Sequence, residues 1–279
     1  MSDFNKQKHE VTGGYESFTD RGGFEDIYIS YDSEPLRYFL DGAKALIEEL
    51  DMDGVETILD VGTGTGHTAL ELAKRYPNCK VTGVDNSPGM LSQAELKKGD
   101  LTNITFQRND WEELQKIQGE FDLVTNSFGV SFVKDLNKFA VSVASKVKQN
   151  GVFAFVNFDD DGFEPLITEL FNDLERMSLL RRIPTPLSPA NKLLIKLMED
   201  NGIKTHKTIN KGLTYSIKTP EEWWTVVSRT AIKENFFYDV TEKELEELKC
   251  VHLNNIQRMI DKGSNLYTVT ITMFVGKKL

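Results

Sequence analysis

Cysteine is scarce in this sequence of 279 residues, in which Cys79 and Cys250 are the two that occur. They lie far apart and form no Cys-x-x-Cys spacing, so we expect neither a disulfide framework nor a metal site. The sequence also lacks an apolar run long enough to cross a bilayer, and residues 1–11 contain no apolar core of a secretory signal. These absences favour a cytoplasmic protein that does not insert into a membrane.

Positive charge is in deficit along the chain. The 33 lysines and arginines are outnumbered by 43 aspartates and glutamates, which gives a net charge of −10. Binding along a nucleic-acid backbone requires a dense set of cations, and the basic clusters KVKQN and GKKL are short. We therefore expect no nucleic-acid partner. The hydrophobic fraction of 39% and the charged fraction of 27% are ordinary for a globular protein.

Internal repeats and low-complexity tracts are absent as well, so the chain is interpreted as a succession of individual helices and strands. Residues 1–32 are polar and glycine-rich, and we expect a flexible N-terminal segment there. A helix is predicted from Ser33, because Pro35 is tolerated in a first turn and apolar residues then recur at three- and four-residue spacing as far as Leu50.

The middle of the chain alternates between strand-like and helix-like segments. The predicted strands are ETILDV, KVTGVD, ITFQRND, FDLVTNSF and GVFAFVNF. The predicted helices are HTALELAKRY, GMLSQAELKKG, WEELQKI and LNKFAVSVASKVKQNG, the last closed by its glycine. Strands that alternate with helices form crossover units, so the pattern predicts an α/β fold with a doubly wound, mostly parallel sheet.

The pattern changes after Phe158. Helical patterns follow at DDDGFEPLITELFNDLERM, KLLIKLMEDNG, TPEEWWTVVSRTA and TEKELEELKCVHLNNIQRMIDKG, strand patterns at KTHKTINKGLTYSI and LYTVTITMFVGKK, and a loop at RRIPTPLSP. We expect a single domain over residues 33–279. In it, residues 160–195 and 216–262 are late helical insertions that serve as a lid or contact the substrate.

Residues 58–73, ILDVGTGTGHTALELA, place three alternating glycines where a strand meets a helix. Glycine allows backbone conformations that side chains forbid, and the helix N-terminus offers unpaired N–H groups, so this turn predicts a pocket for a polar or anionic ligand. Gly62 and Gly64 fit the dinucleotide pattern G-x-G-x-x-G, but His67 stands where its third glycine is required, and the P-loop pattern is absent. The alternative is a purely structural role in packing the helix on the strand.

Three successive predicted strands each end in an acidic residue, namely Asp60, Asp85 and Asp110. The carboxyl ends of parallel strands meet at one edge of a sheet, so we expect these carboxylates to converge on the pocket. For any one of them taken alone, a solvated acid at a strand end is the simpler interpretation.

The segments LDVGTGTG, VTGVDNSPGML, NDW, and FDLVTNSFGVSFVKD with QNGVFAF follow the order of the motifs in class I S-adenosylmethionine-dependent methyltransferases. Over about residues 57–155 the chain resembles this family, and within it the ubiquinone/menaquinone-biosynthesis type of small-molecule methyltransferase. The resemblance implies a seven-stranded Rossmann-like sheet, with S-adenosylmethionine as cofactor and S-adenosylhomocysteine as its product. It also implies that the segment 1–32 closes over the site.

The resemblance further implies roles for individual residues. Asp85 would accept hydrogen bonds from both ribose hydroxyls, and Asp110 one from the adenine amino group, while the backbone N–H of Trp111 would donate to a ring nitrogen. Met90 would pack on the adenine, and Asp60 with the glycine amides would hold the methionine end. The expected cofactor-binding residues are Tyr31, Asp60, Gly62, Thr63, Gly64, Gly66, Asp85, Asn86, Met90, Asp110, Trp111 and Asn126.

Methyl transfer from a sulfonium is an in-line displacement, so the protein's main task is to align the reactants and exclude water. A general base is needed only where the nucleophile must lose a proton, and the sequence assigns no catalytic residue. His67 is retained as a candidate, because the dipole of its helix favours the neutral imidazole; packing near the cofactor or exposure to solvent is the alternative. His206 and His252 fall in the late region and are expected at the surface.

Aromatic residues supply the candidate acceptor pocket, and burial in the core is the alternative for each of Phe128, Phe132, Phe158, Trp223 and Trp224. The resemblance predicts methyl transfer to an O, N or C atom of a small, apolar or aromatic metabolite. Two other hypotheses stay open, namely a protein that uses the same cofactor for other chemistry and a cofactor-binding partner subunit without turnover. A monomer and a homodimer are both compatible with the sequence.

Overall fold

The computed structural model describes residue 28 and residues 31–159, 162–180, 188–237 and 239–279. Most of the predicted flexible segment, residues 1–32, therefore lies outside the described residues. So do residues 160–161 and 181–187 of the predicted lid segment 160–195, which include most of the predicted loop RRIPTPLSP, and residue 238 of the predicted lid segment 216–262.

The described residues contain a seven-stranded sheet with the strand order β3-β2-β1-β4-β5-β7-β6. The strands are β1 Thr57–Val61, β2 Lys80–Asp85, β3 Ile104–Arg108, β4 Phe121–Ser127, β5 Val147–Phe158, β6 Ile203–Ser216 and β7 Leu266–Lys278. β1 to β5 pair in parallel, whereas β7 is antiparallel to both β5 and β6. The predicted doubly wound, mostly parallel seven-stranded sheet is confirmed.

Nine α-helices lie within the described ranges. They are α1 Tyr38–Glu48, α2 His67–Arg75, α3 Pro88–Lys98, α4 Leu136–Ala144, α5 Leu166–Arg176, α6 Ser188–Asp200, α7 Pro220–Ser228, α8 Ala231–Phe237 and α9 Glu242–Asp261. Short 3-10 turns are found at Glu34–Leu36, Trp111–Lys116 and Val130–Phe132. No separate helix was predicted at α8, which lies within the expected late helical insertion 216–262.

The central strands are buried on both faces, which is why they consist of near-continuous apolar runs. In β1, Ile58 belongs to the hydrophobic cluster on one face of the sheet and Leu59 to the cluster on the other. Ile58 is aligned with Val81 of β2 on one side and with Leu123 of β4 on the other. Helices α1, α2, α5, α7 and α9 contribute to the first cluster, and α4 and α6 to the second. The sheet is therefore covered on both faces.

The predicted first helix begins as a 3-10 turn with Pro35 near its start and continues as α1 from Tyr38. Its apolar stripe is buried as expected, with Leu36 and Leu46 at 0% exposure. The stripe packs on the sheet because residues three and four apart share one face of a helix.

The prediction that LNKFAVSVASKVKQNG forms one helix up to its glycine is wrong. α4 ends at Ala144, and the chain enters β5 at Val147, which pairs with Phe121. A Cβ atom at Gly151 would lie 2.9–3.1 Å from three backbone oxygens, so the glycine is required by close strand packing and not by a helix end. Tertiary pairing overrides the local helical pattern here.

The late helices are joined by a buried hydrogen-bonded chain. The indole nitrogen Nε1 of Trp223 in α7 donates to Nε2 of His252 in α9 at 2.9 Å, and His252 Nδ1 lies 2.7 Å from Asp173 Oδ2 in α5. All three side chains are 0% exposed. This chain fixes three helices that come from widely separated parts of the sequence.

Candidate cofactor and acceptor site

A cavity of about 300 Å³ lies at the carboxyl ends of β1, β2 and β4. β1 pairs with β2 on one side and with β4 on the other, so the strand order reverses at this point. Crevices at such reversals are where open α/β sheets bind ligands, because the loops that follow the neighbouring strands separate there.

The glycine turn forms the floor of the cavity between β1 and α2. Gly62, Gly64 and Gly66 have φ angles of 67°, 56° and 85°, a region that residues with side chains rarely adopt. At Gly66, the N-cap of α2, a Cβ atom would also lie 3.0 Å from Leu70 and 3.2 Å from Ala94. The glycines are therefore required by the backbone path as well as by access to the cavity.

Asp85 ends β2 beside the glycine turn and lines the cavity. Its Oδ2 accepts a hydrogen bond from the Gly64 N–H at 2.8 Å, and its Oδ1 accepts one from the Ser87 N–H at 2.9 Å. Burial raises the pKa of this carboxyl above its usual range. A carboxylate has about four lone-pair sites, so each oxygen retains acceptor capacity for a ligand hydroxyl.

Asp110 lies at the tip of the next strand and is the N-cap of the turn Trp111–Lys116. Its Oδ1 accepts from the Glu112 N–H at 2.9 Å, and its Oδ2 accepts from Asn86 Nδ2 at 3.1 Å. The Asn86 amide thus links the tips of β2 and β3. Asp110, Asn86 and Trp111 all line the cavity.

Two amide oxygens in the cavity wall are buried without a hydrogen-bond partner among the described residues. They are Oδ1 of Asn126, in β4, and Oδ1 of Asn109. Asn126 is 2% exposed, and its Nδ2 is fixed by donation to the Val61 carbonyl at 2.8 Å. A buried unpaired acceptor is costly unless a ligand supplies a donor, so both atoms indicate a ligand rich in N–H or O–H groups.

Asp60 and Gly66 are the two expected cofactor-binding residues that do not line the cavity. Asp60 lies behind the glycine turn, is 1% exposed and accepts a hydrogen bond from Thr125 Oγ1 at 2.7 Å. Burial raises the pKa of its carboxyl to about 6, although the hydrogen bond from Thr125 opposes this shift. Its charge acts on the cavity through the loop and not by direct contact. The other expected cofactor-binding residues line the cavity: Tyr31, Gly62, Thr63, Gly64, Asp85, Asn86, Met90, Asp110, Trp111 and Asn126.

The opposite side of the cavity is aromatic. Tyr31 stacks on Phe39 of α1 with ring centroids 4.3 Å apart, and Phe39 meets the edge of Phe128 at 5.1 Å. Phe128 in turn packs against Phe158 at 4.6 Å. Of the five candidate acceptor residues, Phe128 and Phe132 line the cavity, while Phe158, Trp223 and Trp224 do not.

The described residues of the predicted lid segments do not contribute to this cavity wall. Its lining ends at Phe139, so none of the described residues within 160–195 or 216–262 takes part. His252 is buried in the helix-joining chain, contrary to the expected surface position, and His206 is exposed on β6 as expected.

His67 lines the cavity, but its Nε2 atom lies 3.0 Å from Asp32 Oδ1. The same carboxylate oxygen accepts hydrogen bonds from Lys97 Nζ at 2.8 Å and from Thr65 Oγ1 at 2.9 Å. Burial alone would raise the pKa of Asp32, but His67 and Lys97 outweigh it and hold the pKa well below its usual range. Asp32 thereby ties the segment that carries Tyr31 to α2 and α3.

Sequence reasoning missed several residues of the site. Phe39 was predicted only as part of the buried stripe of α1, and Asp32 carried no signal at all. Thr68 and Ser127 also line the cavity, where their hydroxyl oxygens lie 2.7 Å apart. Helical periodicity identifies which face of a helix is buried, but it does not identify which residues of that face line a cavity. No local sequence pattern could therefore have found these residues.

Among the residues that the structure describes, no group of His, Cys, Asp and Glu side chains could hold a metal ion. In the same described ranges, no helix has both the length and the apolar character needed to cross a bilayer.

Comparison with known proteins identifies a methyltransferase domain in one part of the chain. Residues 58–151 match the model of a protein family described as a methyltransferase domain. Malonyl-[acyl-carrier protein] O-methyltransferase from Geobacter sulfurreducens is 36% identical over 123 residues, which are 43% of this chain and 46% of that protein. The chain contains a methyltransferase domain over residues 58–151. The matched region carries the glycine turn, Asp85, Asp110 and Asn126, whereas Tyr31 and Phe39 of the aromatic side lie outside it.

Two further similarities were found, one in sequence and one in fold. The ubiquinone/menaquinone biosynthesis C-methyltransferase of Citrifermentans bemidjiense is 30% identical over 142 residues, 50% of this chain and 58% of that protein. Phosphoethanolamine N-methyltransferase 2 of Haemonchus contortus, solved with S-adenosyl-L-methionine, aligns with a TM-score of 0.52 at 16% identity, over 95% of this chain and 60% of that one. At this identity the alignment shows the fold alone. The chain spans about half the length of the curated relatives it matches.

Proposed function

We propose that this chain is an S-adenosylmethionine-dependent methyltransferase that acts on an O, N or C atom of a small, apolar or aromatic metabolite. The observation that carries the proposal is the set of acceptor oxygens in the cavity wall. The carboxylates of Asp85 and Asp110 can accept further hydrogen bonds, and the side-chain amide oxygens of Asn109 and Asn126 are buried without hydrogen-bond partners among the described residues. The cofactor offers matching donors in its ribose hydroxyls, adenine amino group and ammonium group.

The residues of the cavity fit the cofactor as follows. Asp85 would accept from both ribose hydroxyls, because its oxygens retain acceptor capacity beyond the backbone N–H groups that they already bind. Asp110 would accept from the adenine amino group, and Met90, which is 1% exposed, would pack on the ring. Asn126 Oδ1 and the glycine turn would hold the methionine end. When bound, S-adenosylmethionine supplies an electrophilic methyl group on a charged sulfur.

The protein's own contribution to the transfer is alignment and the exclusion of water. Tyr31, Phe39 and Phe128 form an apolar side next to Asn126, which would keep water from the methyl group. The Nε2 atom of His67 faces Asp32, so we do not assign a proton transfer to that atom. The proposal requires no general base unless the acceptor atom must lose a proton during the transfer.

The aromatic side also supports the choice of acceptor. Apolar and aromatic walls with a few placed polar groups are typical of sites for small organic molecules. The names of the two relatives specify an oxygen and a carbon acceptor respectively, so family membership leaves the acceptor atom open. The net charge of −10 supports a small-molecule partner over a nucleic acid. We propose a monomer or a homodimer as the working assembly.

The first test joins turnover to cofactor binding. The protein is incubated with methyl-labelled S-adenosylmethionine and a metabolite extract, and we expect S-adenosylhomocysteine together with a labelled product of low molecular mass. Calorimetric binding of S-adenosylhomocysteine without any labelled product would support the non-catalytic alternative. Absence of both would overturn the proposal.

Asp85→Ala locates the cofactor in the cavity. We expect the affinity for S-adenosylhomocysteine to fall by about 100-fold, because two hydrogen bonds to a charged acceptor are lost. Asp100→Ala is the matched control, since Asp100 is an exposed acid that does not line the cavity. Unchanged affinity in a folded Asp85→Ala variant would show that the site assignment is incorrect.

A further inference from the structure

The backbone of Phe128 has an unusual conformation directly after β4. Its φ angle is 58°, in the left-handed region that residues with side chains rarely adopt. Phe128 is 5% exposed and lines the cavity next to Asn126. Strained residues of this kind persist only where their surroundings hold them, and they cluster at ligand sites.

The surroundings of Phe128 hold both its backbone and its ring. Its N–H donates to the Val156 carbonyl at 2.7 Å, and its ring is fixed between Phe39 and Phe158. The tip of the ring rests on Gly42 of α1, where an added Cβ atom would lie 2.6 Å from the ring carbon Cζ. This contact accounts for a glycine in the middle of a helix, a position where glycine is unfavourable.

The size of the cavity limits what it can hold beside the cofactor. At about 300 Å³ it is at the lower end of the range usual for sites of drug-sized ligands. A nucleoside with a methionine group would take up most of this volume, so space for an acceptor has to come from the aromatic side. On the aromatic side, Phe128 is two positions from Asn126, and its ring packs into the space above Gly42.

We propose that Phe128 sets the upper size limit for a planar, apolar acceptor and that Gly42 provides the recess that keeps its ring out of the acceptor space. The inference rests on the proposed methyl transfer and adds a specificity-determining pair to it. A planar acceptor would contact Phe39 and Phe128 through the edge-to-face or offset geometry that aromatic rings prefer.

The two residues act in opposite directions. Carbon atoms pack best at about 3.5–4.0 Å, so a methyl group at position 42 would displace the Phe128 ring by about 1 Å towards the cavity. Removal of the ring would instead join its volume to the cavity. Gly42→Ala should therefore narrow the acceptor space, and Phe128→Ala should widen it.

The experiment uses phenol, 2-naphthol and 9-phenanthrol as probes of one, two and three fused rings. Binding of each probe is measured by ligand-observed NMR on the full chain saturated with S-adenosylhomocysteine. We expect Phe128→Ala to bind the largest probe at least tenfold more tightly than the unchanged protein does. We expect Gly42→Ala to bind the largest probe that the unchanged protein accepts at least tenfold more weakly.

Two control variants separate this effect from general loss of packing. Lys44→Ala lies on the same helix as Gly42, and Phe163→Leu alters the same aromatic cluster behind Phe158 without lining the cavity. Both should keep the size limit of the unchanged protein, and the affinity for S-adenosylhomocysteine should stay within about threefold in these two controls. If Phe128→Ala does not fold, Gly42→Ala decides the question.

The inference is overturned if the folded Phe128→Ala and Gly42→Ala variants have the same size limit as the unchanged protein. It is also overturned if none of the three probes binds to the unchanged protein or to either variant. Loss of S-adenosylhomocysteine binding in the unchanged protein would instead overturn the proposed function. The two failures are therefore distinguishable.

Discussion

At the scale of single residues, the acids at the strand tips differ in what surrounds them. Asp85 and Asp110 face the cavity, each with both oxygens partly occupied by hydrogen bonds. Asp60 is buried behind the loop, and burial raises the pKa of its carboxyl to about 6. A cationic ligand in the cavity would favour the ionised form of Asp60, because opposite charges lower the pKa of a carboxyl.

The affinity for S-adenosylmethionine is expected to depend on pH through Asp60. As the pH falls through about 6, the carboxyl gains a proton and loses the charge that attracts the cation, so affinity should fall by up to about tenfold between pH 7 and pH 5. Calorimetric titrations across this range measure the change. The Asp60→Asn variant should show a flatter profile, and a flat profile in the unchanged protein would contradict the argument.

The same shift has the opposite sign for the stability of the ligand-free protein. The folded-state pKa of Asp60 lies above the ordinary value, so its contribution to stability is complete below about pH 4 and is lost as the pH rises through about 6. A bound cation offsets part of this loss. The residue therefore links stability to occupancy of the site.

At the scale of elements, the late helices depend on polar contacts inside an apolar layer. The chain from Trp223 through His252 to Asp173 joins α7, α9 and α5. Burial would raise the pKa of the Asp173 carboxyl, but His252 and Arg176 hold it below its usual range. A buried carboxylate is tolerated here because its hydrogen-bond partners are complete.

Loss of the middle member of this chain should destabilise the fold. His252→Ala leaves a buried indole N–H and a buried carboxylate each short of a partner, and we expect it to lower the free energy of unfolding by about 3 kcal/mol. His206→Ala on the exposed face of β6 is the matched control and should change it by less than about 0.5 kcal/mol. Denaturant unfolding followed by circular dichroism measures both, and equal effects would show that the chain contributes nothing.

At the scale of the whole molecule, the site is assembled from segments that the strand order brings together. The reversal between β2-β1 and β4-β5 places the ends of β1, β2 and β4 around one cavity, and α1 supplies its aromatic side. The lining residues extend from Tyr31 to Phe139. Ligand binding should therefore stabilise all of these segments together, because unfolding of any one of them would release the ligand.

Thermal unfolding tests this unity. At a concentration of 100 times its dissociation constant, S-adenosylhomocysteine should add about 2.7 kcal/mol of stability, which corresponds to a rise in Tm of about 5 °C or more. The nicotinamide dinucleotide NAD at the same concentration should leave Tm unchanged, because His67 replaces the third glycine of the dinucleotide pattern. A shift with the dinucleotide and none with S-adenosylhomocysteine would refute the choice of cofactor.

The sequence by itself determined the parts that depend on consecutive residues. The run ILDVGTGTG predicts where the strand ends, where the backbone adopts positive φ angles and where the next helix begins. The alternation of strands and helices likewise indicated the sheet, and acids at the strand tips indicated the edge at which the cavity lies. These features are local, so each can be identified without knowledge of any distant contact.

Tertiary structure decided what depends on contacts between distant residues. Asp32 accepts a hydrogen bond from Lys97, which lies 65 positions later in the chain. Position 42 is a glycine because the ring of Phe128 occupies the space of a side chain there. The end of α4 is set by the pairing of Val147 with Phe121. The sequence predicted Trp223 in the acceptor pocket, whereas in the structure it is buried in the core, where it donates a hydrogen bond to His252. Such contacts follow from strand order and packing, and no window along the chain contains both partners.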